Sequence, residues 1–403
     1  MRASVQFQSP RVLSASVHRR LVVVLGALTT LGPLAIDMYL PALPWIARDV
    51  AVDLGTVQQT LSIFMVGVAL GQAFCGPMAD RWGRRVPLLV GMTVFVAATM
   101  GCAQADSMPA LLTWRLLMAL GCSASMVIPR SVVRDLFDEK ESARMYALLM
   151  LILGVSPILA PTLGGFLLDW TGWRGIFWIL GAIGVGSSLA VAAWLPESLP
   201  VEKRSPVGIR LALKNYATLF ADRRFIGASM AAGFTLGSLF AYLSASSFVF
   251  IELHGMTAQQ YAIVFGFNAS GLIGASQLCR WVLKRHTSRA VLTGAFTANA
   301  IAGGLLAVAG ITGWGGLPAM IVLLFLMMSG CGFIFPNIAA LAMAPFGSMA
   351  GSASALLGTV QFALAAASGA AVGSMHNGTA LPMALGVAVC TIAGWIVQRT
   401  MVR

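Results

Sequence analysis

Charge is what this sequence lacks most. Only 10% of its 403 residues are Asp, Glu, Lys or Arg, where a soluble globular domain carries about 25%. With 58% hydrophobic residues and a mean hydropathy of +0.85, the chain could not cover its own surface in water. Cysteines are few and scattered. Cys75, Cys102, Cys122, Cys279, Cys331 and Cys390 stand singly in or beside apolar runs, with no CxxC pair. That excludes a disulfide framework and a zinc site and leaves small buried hydrophobes. His18, His254, His286 and His376 fall in tails or loops and read as solvated. No G-x-x-x-x-G-K-[ST] phosphate loop is present, so the chain has no ATP motor of its own. No nucleophile–base set and no metal cluster falls in an apolar run. No enzymatic activity, cofactor or bound metal is expected.

What is present is a series of charge-poor runs, each long enough to span a bilayer as a helix. The runs are continuous rather than alternating, which favours helices over a barrel. Spans are predicted at about 20–40, 57–78, 86–105, 110–129, 145–168, 173–195, 224–250, 259–281, 289–311, 317–342, 353–374 and 379–398. Arg19-Arg20 before Leu21–Ile36 imitates a signal peptide, but Asp37 follows in place of a small-residue cleavage site. Turn chemistry marks the short links at Gly83, Gly172, Gly315-Gly316 and Asn377-Gly378. The organisation read from this is a tail at 1–19, six helices over 20–195, a polar linker at 196–223 and six helices over 224–403. A faint repeat supports it: Gly71 to Gly83-Arg84-Arg85 aligns with Gly271 to Leu283-Lys284-Arg285 at an offset of 200.

The net charge of +12 could suggest nucleic acid. Its distribution excludes that reading. With twelve spans, 23 of the 26 basic residues but only eight of the 14 acidic ones fall on one face. The positive-inside rule makes that face cytoplasmic, with both termini on it. The expected location is a bacterial inner membrane.

Two charges fall inside spans, where each costs at least a few kcal/mol and marks a functional candidate. Asp37 lies near the outer end of helix 1, and Arg115 in the outer half of helix 4. A carboxylate in a dry cavity near a guanidinium can titrate near neutral pH and carry a proton. The competing readings are a carboxylate snorkelling to the interface and an arginine clamping neighbouring carbonyls.

The loop after helix 2 reads Gly76-Pro-Met-Ala-Asp80-Arg81-Trp-Gly83-Arg84-Arg85. It resembles the major facilitator superfamily signature G-x-x-x-D-R-x-G-R-R/K. Arg115 with Gly121 resembles the family's helix 4 pattern R-x-x-x-x-x-G, with Met118 where this branch often has glutamine. Ser156-Pro157-Ile-Leu-Ala160-Pro161-Thr-Leu-Gly164-Gly165 resembles the antiporter motif G-x-x-x-G-P-x-x-G-G, with Ser156 and Ala160 replacing glycines. More narrowly, the strings around Asp37–Pro44, Arg134–Phe137, Phe240–Phe248, Phe335–Asn337 and Ala350–Gly358 are similar to the bicyclomycin/chloramphenicol-resistance branch of drug:proton antiporters. Ser247 stands where proline is common.

The resemblance implies an all-α membrane protein of two pseudo-symmetric six-helix halves. It implies export of small amphipathic drugs or metabolites in exchange for protons, by a chain expected to act as a monomer among membrane lipids. Asp37 and Arg115 would couple the proton. Gly76, Asp80, Arg81, Gly83, Arg84 and Arg85 would latch one conformation, and Ser156, Pro157, Ala160, Pro161, Gly164 and Gly165 would form the antiporter motif. From position alone, Tyr39, Met118, Phe240, Tyr242, Asn268, Asn337 and Gln361 are candidates to contact substrate, since aromatics, amides and methionines suit adaptable binding. A nutrient or metabolite facilitator on the same fold is the nearest alternative, and a membrane sensor or scaffold that transports nothing is another. The helix 5 motif speaks against the first, and the intact Asp37, Arg115 and Asp80 against the second.

Overall fold

The structure is a computed structural model that describes residues 15–137, 139–204 and 208–402. The tail at 1–14 and the Pro157 side chain lie outside the described residues. Long helices make up nearly all of the rest: α1 Ala15–Asp37, α3 Leu54–Trp82, α4 Arg85–Ala103, α5 Met108–Leu136, α6 Glu139–Trp194, α8 Arg223–Ser247, α9 Ala258–Val282, α10 Ser288–Thr312, α11 Gly316–Met343, α12 Ala350–Ser374 and α13 Leu381–Met401. Two short helices complete the numbering, α2 Leu43–Asp49 and α7 Gly208–Ala221.

Eleven helices among the described residues are long and apolar enough to cross a membrane, and one of them covers 51 residues. That one is α6, which breaks at Gly172, where φ is 64°. A positive φ costs glycine nothing and other residues 1–2 kcal/mol. The break turns α6 into two spans and restores the twelve expected from sequence. Gly83, Gly315, Gly316 and Gly378 also take positive φ, so the predicted turn glycines do turn the chain.

Helix starts follow side-chain chemistry. Asp53, Asp222, Thr257 and Thr287 cap α3, α8, α9 and α10 by accepting from backbone N–H groups of the first turn. Helix α1 ends at Asp37 because Pro41 and Pro44 follow, and the chain passes through a 3-10 turn at Leu40–Ala42 into α2.

The linker departs from expectation. Part of the predicted polar stretch at 196–223 is the helix α7. It lies across the junction between the first and last six spans. Its Tyr216 hydroxyl donates to the Ala73 carbonyl on α3 at 3.0 Å, and Asn215 donates to Ser352 on α12 at 3.1 Å. The histidines also depart from expectation. His18 packs edge-on against Phe137, His254 Nδ1 bonds the Val249 carbonyl at 2.7 Å, and His376 packs on Phe248. Loop histidines next to buried aromatics find partners that sequence position does not reveal.

The two sets of six spans meet along two seams, α3 against α12 and α6 against α9. One end of the molecule carries the basic loops, the other the acidic ones. The acidic end is closed. Arg48 on α2 pairs with Glu252 at 2.5 Å, Gln259 on α9 bonds Asp169, and the backbones at Gly55 and Gly373 approach so closely that a β-carbon at Gly55 would lie 2.5 Å from the Gly373 oxygen. The Arg48–Glu252 pair is largely exposed, and exposed pairs contribute about 0.2–1 kcal/mol. Glu252→Arg should therefore shift the closed-to-open ratio by only about two- to fivefold. Adding Arg48→Glu should restore it, as read by spin-label distances across that end.

Candidate functional site

Arg115 is fully buried, and its surroundings explain why it can be. Its guanidinium lies 4.2 Å from the Tyr39 ring centroid, 4.4 Å from Phe64 and 5.9 Å from Phe177. These rings come from the end of α1, from α3 and from the second span of α6. Nη1 donates to the Ala35 carbonyl at 2.9 Å and approaches the Met118 sulfur at 3.7 Å. Nε and Nη2 have no partner. A desolvated guanidinium over an aromatic face gains about 2 kcal/mol or more, so the rings stand in for a counter-ion. Tyr39 is fixed in turn by a 2.6 Å bond with Thr60 on α3. Tyr39 and Met118 thus build the cage around Arg115.

Asp37 and Arg115 do not form an ion pair, which corrects the expectation of a coupled pair. Sequence places both charges at similar depth, but α1 turns them apart. The Ala35 carbonyl takes the arginine, while Asp37, two residues on, lies close enough to Tyr242 and Tyr261 for its charge to act on both hydroxyls. Those tyrosines belong to α8 and α9. Asp37 is buried, and no ion pair reaches it among the described residues.

The facing residues form their own network. Asn268 donates to the Tyr242 hydroxyl at 3.2 Å, Tyr242 stacks on Phe265, and Tyr261 bonds Ser246 at 2.8 Å. The Asn268 oxygen has no partner. Phe240 is buried on α8 and Gln361 half-buried on α12. Asn337 sits apart near the basic end, where it accepts from Ser288 and donates to the Phe333 carbonyl and the Cys279 sulfur.

The glycines of the helix 5 motif make the contact that seats Asp37. A β-carbon at Gly164 would overlap the Met38 carbonyl oxygen, and one at Gly165 would lie 3.2 Å from the Ala258 oxygen on α9. This stretch of α6 is therefore held between the Asp37 turn and the last six spans. Ala160 and Pro161 are buried beside it, and Ser156 turns its hydroxyl back to the Ile152 carbonyl. Gly121 serves the same purpose on α5, where a β-carbon would meet the Gly91 oxygen at 2.5 Å. Gly164→Ala should cost about 1–3 kcal/mol by overpacking. It should also lower transport more than the equivalent change at Gly186, which faces open space; parallel melting and transport assays check this.

The loop between α3 and α4 is tied by charge. Arg84 is almost fully buried and bridges Asp80 at 2.6 Å and Asp135 at 2.8 Å, so it is a clamp rather than a surface charge. Asp80 is half-exposed, Arg81 is exposed over Trp82, and Gly76 faces open space. Gly83 takes a φ of 87°, and the place of its missing side chain is filled by the Glu197 carboxylate. Glu197 accepts from the Arg84 and Arg85 backbone N–H groups at 2.8 and 3.2 Å, capping α4 from 112 residues away. Burial alone would raise the Glu197 pKa. The N–H groups of Arg84, Leu199 and Arg85, with Arg204, outweigh it and hold the carboxyl below the usual glutamate range. The folded value lies below the unfolded one, so this stabilisation is fully present above about pH 4.5 and lost as pH falls through the depressed folded value. Hydrogen exchange at Arg84 and Arg85 should accelerate in acid, and Glu197→Gln should loosen them already at neutral pH.

Arg130 was counted with the basic loops from sequence. It lies on α5 inside a span and is exposed. One turn earlier Met126 packs on Gly32 of α1, and two turns earlier Ser123 packs on Gly71 of α3. Arg130 continues that stripe, so its guanidinium looks into the opening between α1 and α3 and joins no carboxylate among the described residues. Water therefore reaches between the spans from the basic end while the acidic end is closed.

The model of the Major Facilitator Superfamily matches residues 25–370. The chain belongs to this superfamily. Relatives of this major facilitator include the uncharacterized MFS-type transporter YdgK of Bacillus subtilis, 36% identical over 93% of both chains. Multidrug resistance protein D of Escherichia coli is 30% identical over 85% of both. The bicyclomycin resistance protein homolog of Haemophilus influenzae is 29% identical over 92% of this chain and 93% of the relative. These names agree with the drug-efflux branch the motifs resemble. Solved structures share the fold. A D-xylose–proton symporter matches with a TM-score of 0.73 at 13% identity over 96% of this chain and 97% of its own. A bacterial homolog of the lysosomal transporter Spinster, inward-facing and occupied, matches with a TM-score of 0.71 at 17% identity over 97% and 96%.

Proposed function

We propose that this major facilitator exports small amphipathic drugs or metabolites from the cytoplasm of a bacterium in exchange for protons, by rocking its two halves about a central site. The single observation that carries the reading is Asp37. It is a carboxylate inside the spans with no ion-pair partner, buried where the first six spans meet Tyr242 and Tyr261 of the last six. A group so placed can exchange its proton for substrate as the halves move. The drug-resistance names of the relatives support export as the direction.

The basic end is assigned to the cytoplasm, with both termini there, because flipping the chain would leave the inside nearly free of Lys and Arg. In that frame the conformation described faces inward. The acidic end is sealed by Arg48–Glu252 and Asp169–Gln259, and Asp80 pairs with Arg84. Opening outward would break the seal and free Asp80 to latch the opposite end.

One membrane carboxylate suggests one proton per cycle. Exchange against a neutral drug then moves one charge, worth about 2.3 kcal/mol per 100 mV. Uptake of chloramphenicol or bicyclomycin into everted vesicles, driven by a pH gradient and raised further by an imposed potential, tests the reading. No gradient-driven uptake of either drug, together with downhill equilibration of a nutrient, would instead make the chain a facilitator.

A further inference from the structure

Between α3 and α12, on the side facing the bilayer, runs a groove of about 550 Å³. It is bounded at both ends by places where these helices touch. At the acidic end Gly55 meets Gly373, and toward the basic end Thr359 donates to the Ala69 carbonyl at 3.3 Å. The walls are apolar, with Val66 and Leu70 on the α3 rim and Ala363 and Ala367 on the α12 rim. The alanines create the space, and the exposed Val66 and Leu70 show that the groove opens sideways. From Gln59 to Leu70 it follows α3 for about 16 Å, a length that suits an extended hydrocarbon chain.

Ser62 marks this groove as a site. Buried hydroxyls elsewhere in the spans turn back to a carbonyl of their own helix, as Thr99, Ser156 and Thr235 do. The Ser62 hydroxyl lines the groove, is 94% buried by its 6% exposure, and has no partner. A hydroxyl left unpaired in an apolar wall is costly unless something in the groove accepts from it. Gln59, one turn nearer the acidic end, lines the same stretch with an exposed amide. Both donors sit at one end, and only methylene-compatible surface continues beyond them.

We propose that one acyl chain of a glycerophospholipid, from the leaflet at the acidic face, occupies this groove with its ester carbonyl toward Ser62 and Gln59. The groove lies within the spans, so the molecules that reach it sideways are lipids. An ester offers acceptors only, which is what a hydroxyl and an amide N–H require. Because α3 and α12 belong to different halves, the chain sits across a seam that must change when the acidic end opens. That last consequence rests on the transport reading above; the lipid site does not.

The test is native mass spectrometry of the full chain extracted in mild detergent. Wild type should retain one phospholipid through stepwise delipidation. Ala367→Trp, which fills the groove from its exposed rim, should lower retention at least tenfold, and Ser62→Ala should lower it several-fold. Ile301→Trp, on the exposed face of α10, should leave it unchanged. Ala363→Leu serves if the tryptophan variant folds poorly. Equal retention in wild type and both groove-filling variants would overturn the proposal, and so would displacement of the retained mass by chloramphenicol, which would make the groove a drug site. Gradient-driven transport measured in the same variants speaks to the exporter reading and leaves the lipid result standing either way.

Discussion

Asp37→Asn is expected to abolish drug accumulation driven by a pH gradient while leaving drug–drug exchange across the same membrane intact. A difference of two pH units stores roughly 2.7 kcal/mol per proton, enough to hold about a 100-fold drug gradient at one proton per drug. The asparagine keeps the size and hydrogen-bonding capacity of the side chain but cannot release a proton. The variant should therefore hold no gradient, and its accumulation ratio should fall to about one. Exchange of internal for external drug needs only the rocking motion and should persist. The arrangement of Asp37 makes this separation sharp. No ion pair among the described residues depends on it, so neutralising it leaves no buried cation stranded. Full gradient-driven accumulation in the variant would remove Asp37 from the coupling.

The second large effect is expected at Arg115, and it is structural before it is chemical. Arg115→Lys keeps the charge, yet an ammonium cannot lie flat against Tyr39 and Phe64 and also reach the Ala35 carbonyl. Losing the flat contact forfeits about 2 kcal/mol, roughly a 30-fold shift in the population of the assembled site. Both the melting temperature and transport should fall. Arg115→Met, close in length and uncharged, should preserve folding better than lysine, because it leaves no ammonium in the cage. The double variant separates two accounts. If Asp37 and Arg115 were a charge pair, Asp37→Asn should rescue Arg115→Met. The cage predicts no rescue, with the effects on stability adding independently.

Much of this architecture was legible in the sequence, and the reasons are physical. A bilayer demands a fixed length of uncharged helix, so the twelve spans announce themselves, and Gly172 could be read as the link that divides a 56-residue helix into two. The motif glycines were also legible, because positive φ at Gly83 and close approach at Gly164 leave few alternatives. Other features depended on three-dimensional proximity that spacing does not encode. Asp37 and Arg115 were the two charges that topology could not explain, and they looked like partners. The turn after α1 sends them in different directions. Glu197 caps α4 across 112 residues, which no local signal reveals. Helix α7 was read as linker because its buried stripe is narrow. Leu219 is buried and Tyr216 half-buried, while Leu213 and Phe220 on the same helix are exposed. Arg130 was hidden among topogenic arginines, and only its place on the inner stripe of α5 sets it apart.

These features give the site a division of labour. Arg115 and its rings form a fixed post that ties α1, α3, α5 and α6 together. Asp37 stands at the edge of that post, facing the other half, with Gly164 beneath its turn. The proton carrier is thus mounted on one half and faces tyrosines of the other, where relative motion changes its surroundings most.

The central claim is that substrate and proton compete for Asp37. The most direct test is proton release from the purified, detergent-solubilised chain on addition of chloramphenicol or bicyclomycin in weakly buffered solution. The account predicts release of about one proton per bound drug in wild type and none in Asp37→Asn, with drug binding retained in the variant. Drug binding without proton release in wild type, or equal release in both proteins, would contradict it.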